Sequence, residues 1–128
     1  MDNLLLFWIE CLQLKDWTIE LTTDVYEMPN GDKDCGQVQY SEAGKAAHIY
    51  IMHPDLYGDR VVPFDPEKTL VHELLHIKMC LLDCREDDNL QSRVLHQLID
   101  DLAKALVKAR REKHRHTADG SLSLKARR

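Results

Sequence analysis

Residues 66–82, PEKTLVHELLHIKMCLL, form the stretch on which the fold of this chain depends. Its aliphatic side chains fall on nearly every side of a helix, which is typical of a helix at the centre of a fold. Asp65 can cap such a helix, and Pro66 suits its first position. The stretch therefore predicts a central helix that begins at Pro66 and runs to about Leu82.

The polar residues of this central helix have the spacing of a metal site. His72 and His76 are four positions apart, so both imidazoles project from one face and can bind the same tetrahedral zinc ion. Glu73 is placed to reach a water molecule on that zinc rather than the zinc itself. HELLH is thus the HExxH arrangement of zinc peptidases. The alternative is a pair of core histidines, which are costly to bury unless each finds a partner.

A catalytic zinc site takes three protein ligands, so one more must come from outside HELLH. We predict His96, at the border of the buried stripe of the last helix, as that ligand. Asp100 follows on the same helical face, where a carboxylate can accept a hydrogen bond from a ligand imidazole. The alternatives are a surface role for His96, with the third ligand supplied by an acid of the connecting segment: Glu86, Asp87 or Asp88.

The remaining pattern predicts an α+β fold around the central helix. Alternating apolar residues favour three short strands, and helical spacing of leucines favours a helix at each end. The predicted elements are an N-terminal helix within residues 4–14, strands at Trp17–Tyr26, Gly36–Tyr40 and Ala46–His53, and a last helix from about Leu90 to Arg111. We predict one domain over residues 1–111 and a basic, flexible tail over residues 112–128.

Composition limits the classes of protein to be considered. A chain of 128 residues with 44% hydrophobic residues suits one globular domain, and no apolar run reaches the roughly 20 residues that span a bilayer. The acidic N-terminus is unlike a signal peptide, so we expect a cytoplasmic protein without a membrane partner. The net charge is −5, and residues 108–128 carry eight Lys or Arg against two acids. The acidic remainder argues against a nucleic-acid partner and favours basic substrates.

HELLH and the layout of residues 17–107 resemble a minimal zincin of the gluzincin type, similar to small predicted metallopeptidases of phages and bacteria. The resemblance implies a Zn²⁺-dependent peptidase that hydrolyses peptide or protein substrates, with Glu73 as general base. Gluzincins have a Glu at the position of His96 and an Asp at the position of Asp100. The His-for-Glu change would give a three-histidine site that carries one negative charge fewer.

The same resemblance implies two further features of the site. A Tyr or His near the cleft should donate to the oxyanion, and Tyr57 or His53 could serve. The strand Ala46–His53 should be an edge strand that binds substrate, with His48 and Tyr50 pointing outward. The alternative function is a catalytically idle metal-binding module that mediates protein interactions, and a third is nucleic-acid binding through the basic tail.

Overall fold

The computed structural model describes residues 1–82 and 90–118, and it confirms the α+β class. In chain order the elements are α1 (Asp2–Cys11), β1 (Thr18–Val25), β2 (Gly36–Ser41), β3 (Ala46–Met52), α2 (Pro54–Tyr57), α3 (Pro66–Lys78), a 3₁₀ turn (Cys80–Leu82) and α4 (Leu90–Ala118). The predicted helices and strands are all present, and α2 is an extra single turn within a predicted loop. Within the described ranges, no helix combines the length and apolar character needed to cross a membrane.

The three strands form one mixed sheet in the order β1-β3-β2. β1 pairs with β3 in parallel, and β2 pairs with β3 antiparallel with Val38 opposite Ile49. The prediction that the strand at Ala46–His53 lies at the edge is therefore wrong, because β3 is central and β2 is an edge. The physical reason is burial: Ile49 and Ile51 are almost fully buried, and a central strand can satisfy its backbone on both sides.

His48 and Tyr50 lie on the sheet face that is opposite to the core. Their rings stack with centroids 4.2 Å apart, and His48 Nε2 lies 2.7 Å from the Thr22 hydroxyl on β1. Both side chains are half-buried among neighbouring strands rather than projecting from a strand edge. They therefore belong to the polar face of the sheet.

Helix α3 is the centre of the core, as its sequence predicts. Leu70, Val71, Leu74 and Ile77 are essentially inaccessible to solvent, because α3 packs against the sheet, α1 and α4. The predicted cap is present, since an Asp65 side-chain oxygen accepts a hydrogen bond from the Lys68 backbone N–H at 3.1 Å. The helix ends at Lys78, and the chain then tightens into the 3₁₀ turn.

Helix α4 is longer than predicted. Its buried stripe contains Leu95, Ile99, Ala103 and Val107, but the helix continues beyond Arg111 to Ala118. Residues 112–118, expected to belong to a flexible tail, are therefore helical. The helix is held near this end because arginines at 110 and 111 bind acidic residues at the start of α3. The rest of the predicted tail, residues 119–128, lies outside the described residues.

Candidate metal centre

Three histidines from two helices meet beside the sheet. His72 and His76 project from α3, His96 projects from α4, and one ring nitrogen of each lies within 4.8 Å of the other two. The ring centroids are 5.0 Å apart for His72 and His76 and 4.9 Å apart for His76 and His96. The packing of α4 against α3 has thus brought the predicted third histidine to the motif. The three residues lie close enough together to bind a metal ion.

The chemistry of this donor set fits a divalent transition metal such as zinc. Ligand imidazoles must be neutral, and burial lowers the pKa of His72 although Asp100 acts in the opposite direction. Nitrogens around a tetrahedral zinc ion are about 3.4 Å apart, so modest side-chain rotations would close the cluster. His96 has the freedom for such a rotation, because its side chain is exposed at the surface of α4.

Asp100 lies beside the first motif histidine. Its Oδ1 atom is 3.6 Å from His72 Nδ1, and Lys104 Nζ is 2.9 Å from its other oxygen. Partial burial opposes ionisation of Asp100, but the hydrogen bond from Lys104 holds its pKa below the usual value. The group that faces His72 is therefore an anion, which favours the tautomer with hydrogen on Nδ1 and leaves Nε2 for a metal.

Glu73 lies under strand β2 and is only 7% exposed. Burial raises the pKa of its carboxyl to about 8, and the negative charge of Asp34 adds to the effect. Gly36 makes this close packing possible, because a Cβ atom there would lie 2.4 Å from Thr69 Cγ2 and 3.0 Å from Glu73 Oε2. Gly36 is not among the site residues predicted from the sequence, although a glycine within a strand is a signal for such close approach.

A cleft of about 550 Å³ contains the histidine cluster. Residues 36–40 of β2 form one wall, and α3 and α4 form the other with His72, Glu73, His76 and His96. In the part of the chain that the structure describes, no strand pairs with the outer edge of β2. The cleft therefore combines a cluster of three histidines, a buried carboxyl and backbone groups able to pair with an extended chain.

Neither predicted oxyanion donor lines this cleft. The Tyr57 hydroxyl donates to the backbone oxygen of Val62. His53 caps α2 by accepting a hydrogen bond from the Asp55 N–H at 3.0 Å, and its ring stacks on Tyr26. Both side chains are engaged in the structure of the loop that precedes α3, so the structure does not bring them to the site.

The tyrosine that does line the cleft is Tyr40 of β2. Its ring packs edge-to-face with Trp17, with centroids 6.4 Å apart. The sequence reasoning missed it because it assigned the cleft wall to the wrong strand. The alternative third ligands, Glu86, Asp87 and Asp88, lie outside the described residues.

No protein-family model matches the chain, and no curated protein or solved structure matches it either. The interpretation of the site therefore rests on its own residues and their geometry.

Proposed function

We propose that this protein is a zinc-dependent metallopeptidase of the minimal zincin type. The observation that carries the proposal is the meeting of three imidazoles and the Glu73 carboxyl in one cleft, beside an edge of β2 with which no strand of the described ranges pairs. Hydrolysis of a peptide bond needs a polarised carbonyl, a base for water and a surface that holds the peptide extended. The residues of this cleft can supply each of these.

The proposal assigns a role to each side chain of the cleft. His72, His76 and His96 would hold the zinc ion, which when bound activates water and polarises the scissile carbonyl. Glu73 would take a proton from the attacking water and pass it to the leaving amine. Asp100 would keep the His72 ring in the orientation and tautomer that binding requires.

The outer edge of β2 is the proposed binding surface for the substrate backbone. An extended peptide can add to an open strand edge through main-chain hydrogen bonds, which do not depend on its side chains. Gly36 brings β2 against Glu73, so a peptide on this edge would pass close to the general base. The strand proposed to bind substrate is therefore β2, and not its antiparallel neighbour β3, for which the sequence predicted this role.

Burial of Glu73 favours an enzyme over a catalytically idle metal-binding module. A carboxyl whose pKa is raised to about 8 opposes folding at neutral pH, because burial penalises its charged form. Three histidines can bind a metal without such a group. A general base, in contrast, works best with a pKa near the working pH, and a neighbouring cation would bring the pKa of Glu73 down toward that range.

Metal content tests the three-histidine site. After dialysis against metal-free buffer, we expect about one zinc ion per wild-type chain and a large loss in His96→Ala, because two imidazoles bind zinc weakly. His48→Ala is the matched control, since His48 lies on the polar sheet face outside the cluster. If His96→Ala kept as much zinc as His48→Ala, His96 would not be a ligand.

Peptide hydrolysis tests the enzyme. The zinc-loaded wild type should cleave unstructured peptides, and Glu73→Gln should keep its zinc while its rate falls by about 100-fold or more, because the base is missing. Mass spectrometry of the products measures the cleavage rate of both proteins, and the metal-free wild type is the control. Equal cleavage by Glu73→Gln, or no cleavage by a fully zinc-loaded wild type, would overturn the proposed function.

A further inference from the structure

A second groove, of about 490 Å³, lies between the start of α3 and the C-terminal half of α4. We call it the basic groove, because five of the side chains that line it are cations and two are acids. The cations are Lys68, Lys104, Lys108, Arg111 and Arg115, and the acids are Asp65 and Glu112. Three of these cations, Lys108, Arg111 and Arg115, belong to the basic segment 108–128 of a chain whose net charge is −5.

The basic groove adjoins the metal cleft. Lys68 lines both of them, and its Nζ atom lies 3.9 Å from Asp100 Oδ1. The same Asp100 oxygen is 3.6 Å from His72 Nδ1. A ligand that occupied the cleft could therefore extend past Lys68 into the groove.

Part of the positive charge in the groove has no ion-pair partner within residues 1–82 and 90–118. Arg111 binds Asp65 at 2.8 Å and Lys104 binds Asp100 at 2.9 Å, so these two cations are largely neutralised. Lys108 and Arg115 are exposed and form no ion pair with any acid in the described ranges 1–82 and 90–118. Their charges are available to a ligand.

We propose that the basic groove binds an acidic segment of the peptide substrate, next to the bond that is cleaved. This inference rests on the proposed peptidase function. Along α4, the distance from Lys104 to Arg115 is about 16 Å, which matches about five residues of extended peptide. Lys108 and Arg115 are about 10.5 Å apart along the helix, so carboxylates about three residues apart on such a segment could meet both of them. The local charge thus selects acidic substrates, although the net charge of the chain favours basic ones.

An acidic peptide fits the basic groove better than a nucleic acid does. No aromatic side chain lines the groove, whereas single-stranded nucleic acids are bound largely by stacking of bases on aromatic rings. Asp65 and Glu112 would repel a continuous row of phosphates, but the separate carboxylates of a peptide can avoid them. The neighbouring cleft also presents a strand edge, which pairs with a peptide backbone.

Fluorescence anisotropy of labelled hexaglutamate and hexaglutamine tests the proposal on the full chain, with zinc and with a chelator. Hexaglutamate should bind at least about tenfold more tightly, and Lys108→Glu/Arg115→Glu should remove this preference, because each lost charge contact weakens binding several-fold. Lys15→Glu/Lys78→Glu changes the net charge equally and is the matched control, since neither lysine lines the groove. The control should keep the preference.

Equal binding of the two peptides, or an equal loss in both double variants, would overturn the proposal. Tighter binding of a DNA hexamer than of hexaglutamate, lost in Lys108→Glu/Arg115→Glu, would also overturn it in favour of a nucleic-acid site. Because this binding does not need zinc, a chain that binds hexaglutamate but cleaves nothing would refute the peptidase alone. Cleavage with the same kcat/KM for peptides with a glutamate or a glutamine segment would refute the substrate assignment alone.

Discussion

At Glu73, the stability of the fold and the proposed function make opposite demands on the carboxyl group. The side chain is buried under β2 beside Asp34, and its pKa rises from 4.5 to about 8. In the absence of a cation, the folded protein therefore holds Glu73 protonated at neutral pH. A metal ion on the adjacent histidines would favour the ionised form that a general base requires.

Ionisation of Glu73 should lower the stability of the metal-free protein as the pH rises from about 4.5 to 8, whereas the lowered pKa of His72 acts in the opposite direction below pH 6.5. Over this range the unfolded chain releases the Glu73 proton while the folded chain keeps it, so the unfolded state is favoured, and the loss is complete above pH 8. The full effect of this group is about 5 kcal/mol in the free energy of unfolding. Urea unfolding at several pH values in the presence of a chelator measures it.

Glu73→Gln is the control for this pH dependence, because it has the same shape and cannot ionise. The free energy of unfolding of metal-free Glu73→Gln should vary much less between pH 4.5 and 8. A wild type and a Glu73→Gln variant with parallel pH profiles would show that Glu73 ionises normally in the folded state.

Some of the site residues can be predicted from the sequence and others cannot. His72, Glu73 and His76 can be predicted because their spacing on one helix already fixes their relative positions. His96 can be predicted as a candidate third ligand, but only the packing of α4 on α3 brings it to the cluster. Gly36 and Lys68 carry no local pattern that links them to the motif, since their roles depend on contacts between elements distant in the chain.

At the scale of the elements, the seating of β2 on α3 forms the cleft, and Gly36 is the point of contact. Gly36→Ala should weaken this contact, because the new methyl group would lie 2.4 Å from Thr69 Cγ2. Overpacking of this kind costs about 1–3 kcal/mol in the free energy of unfolding. Zinc affinity and hydrolysis should change as well, since β2 must move away from Glu73.

Thr69→Ser separates this steric effect from other consequences of the alanine. Serine lacks the Cγ2 atom but keeps the hydroxyl, which donates to the Asp65 backbone oxygen at 3.1 Å. In a double-mutant cycle, Thr69→Ser should recover much of the stability lost in Gly36→Ala. If the two effects simply add, contact with Thr69 is not the cause.

The order of the strands in the sheet could not be predicted from the sequence. Alternation of apolar residues identifies β1, β2 and β3, but it contains no information on which strand lies between the other two. β3 is central because it is the most deeply buried strand, with Ile49, Ile51 and Met52 nearly inaccessible. Its alternation of apolar with polar residues is equally compatible with an edge, so only the observed pairing distinguishes the two positions.

At the scale of the whole molecule, one buried carboxylate joins three helices. Glu67 of α3 is 4% exposed, accepts a hydrogen bond from the Trp8 indole of α1 at 2.9 Å, and binds Arg110 of α4 through both oxygens. Burial opposes its ionisation, but the hydrogen bonds from Arg110 and Trp8 hold the pKa of Glu67 below its usual value. This interaction fixes α1 and the distal half of α4 to the start of the motif helix.

Glu67→Ala should lower the free energy of unfolding by about 3 kcal/mol, because it leaves the Trp8 N–H and Arg110 without their partner. Thermal unfolding measures the loss, and Glu42→Ala, which removes an exposed carboxylate, is the control. Because the folded pKa is lowered, the contribution of Glu67 is complete above pH 4.5 and disappears as the pH falls through the folded pKa. Equal stability of the two variants at pH 7 would contradict the role of this interaction.

The strand order also determines the order in which the strands can pair as the sheet folds. β2 and β3 are joined by residues 42–45, a turn in which the Ser41 hydroxyl accepts a hydrogen bond from the Gly44 N–H. β1 pairs with β3 only after the whole segment 26–45 has closed, and longer loops cost more entropy to close. The hairpin is therefore expected to form first and to receive β1 last, so the wall of the cleft folds before the opposite edge of the sheet.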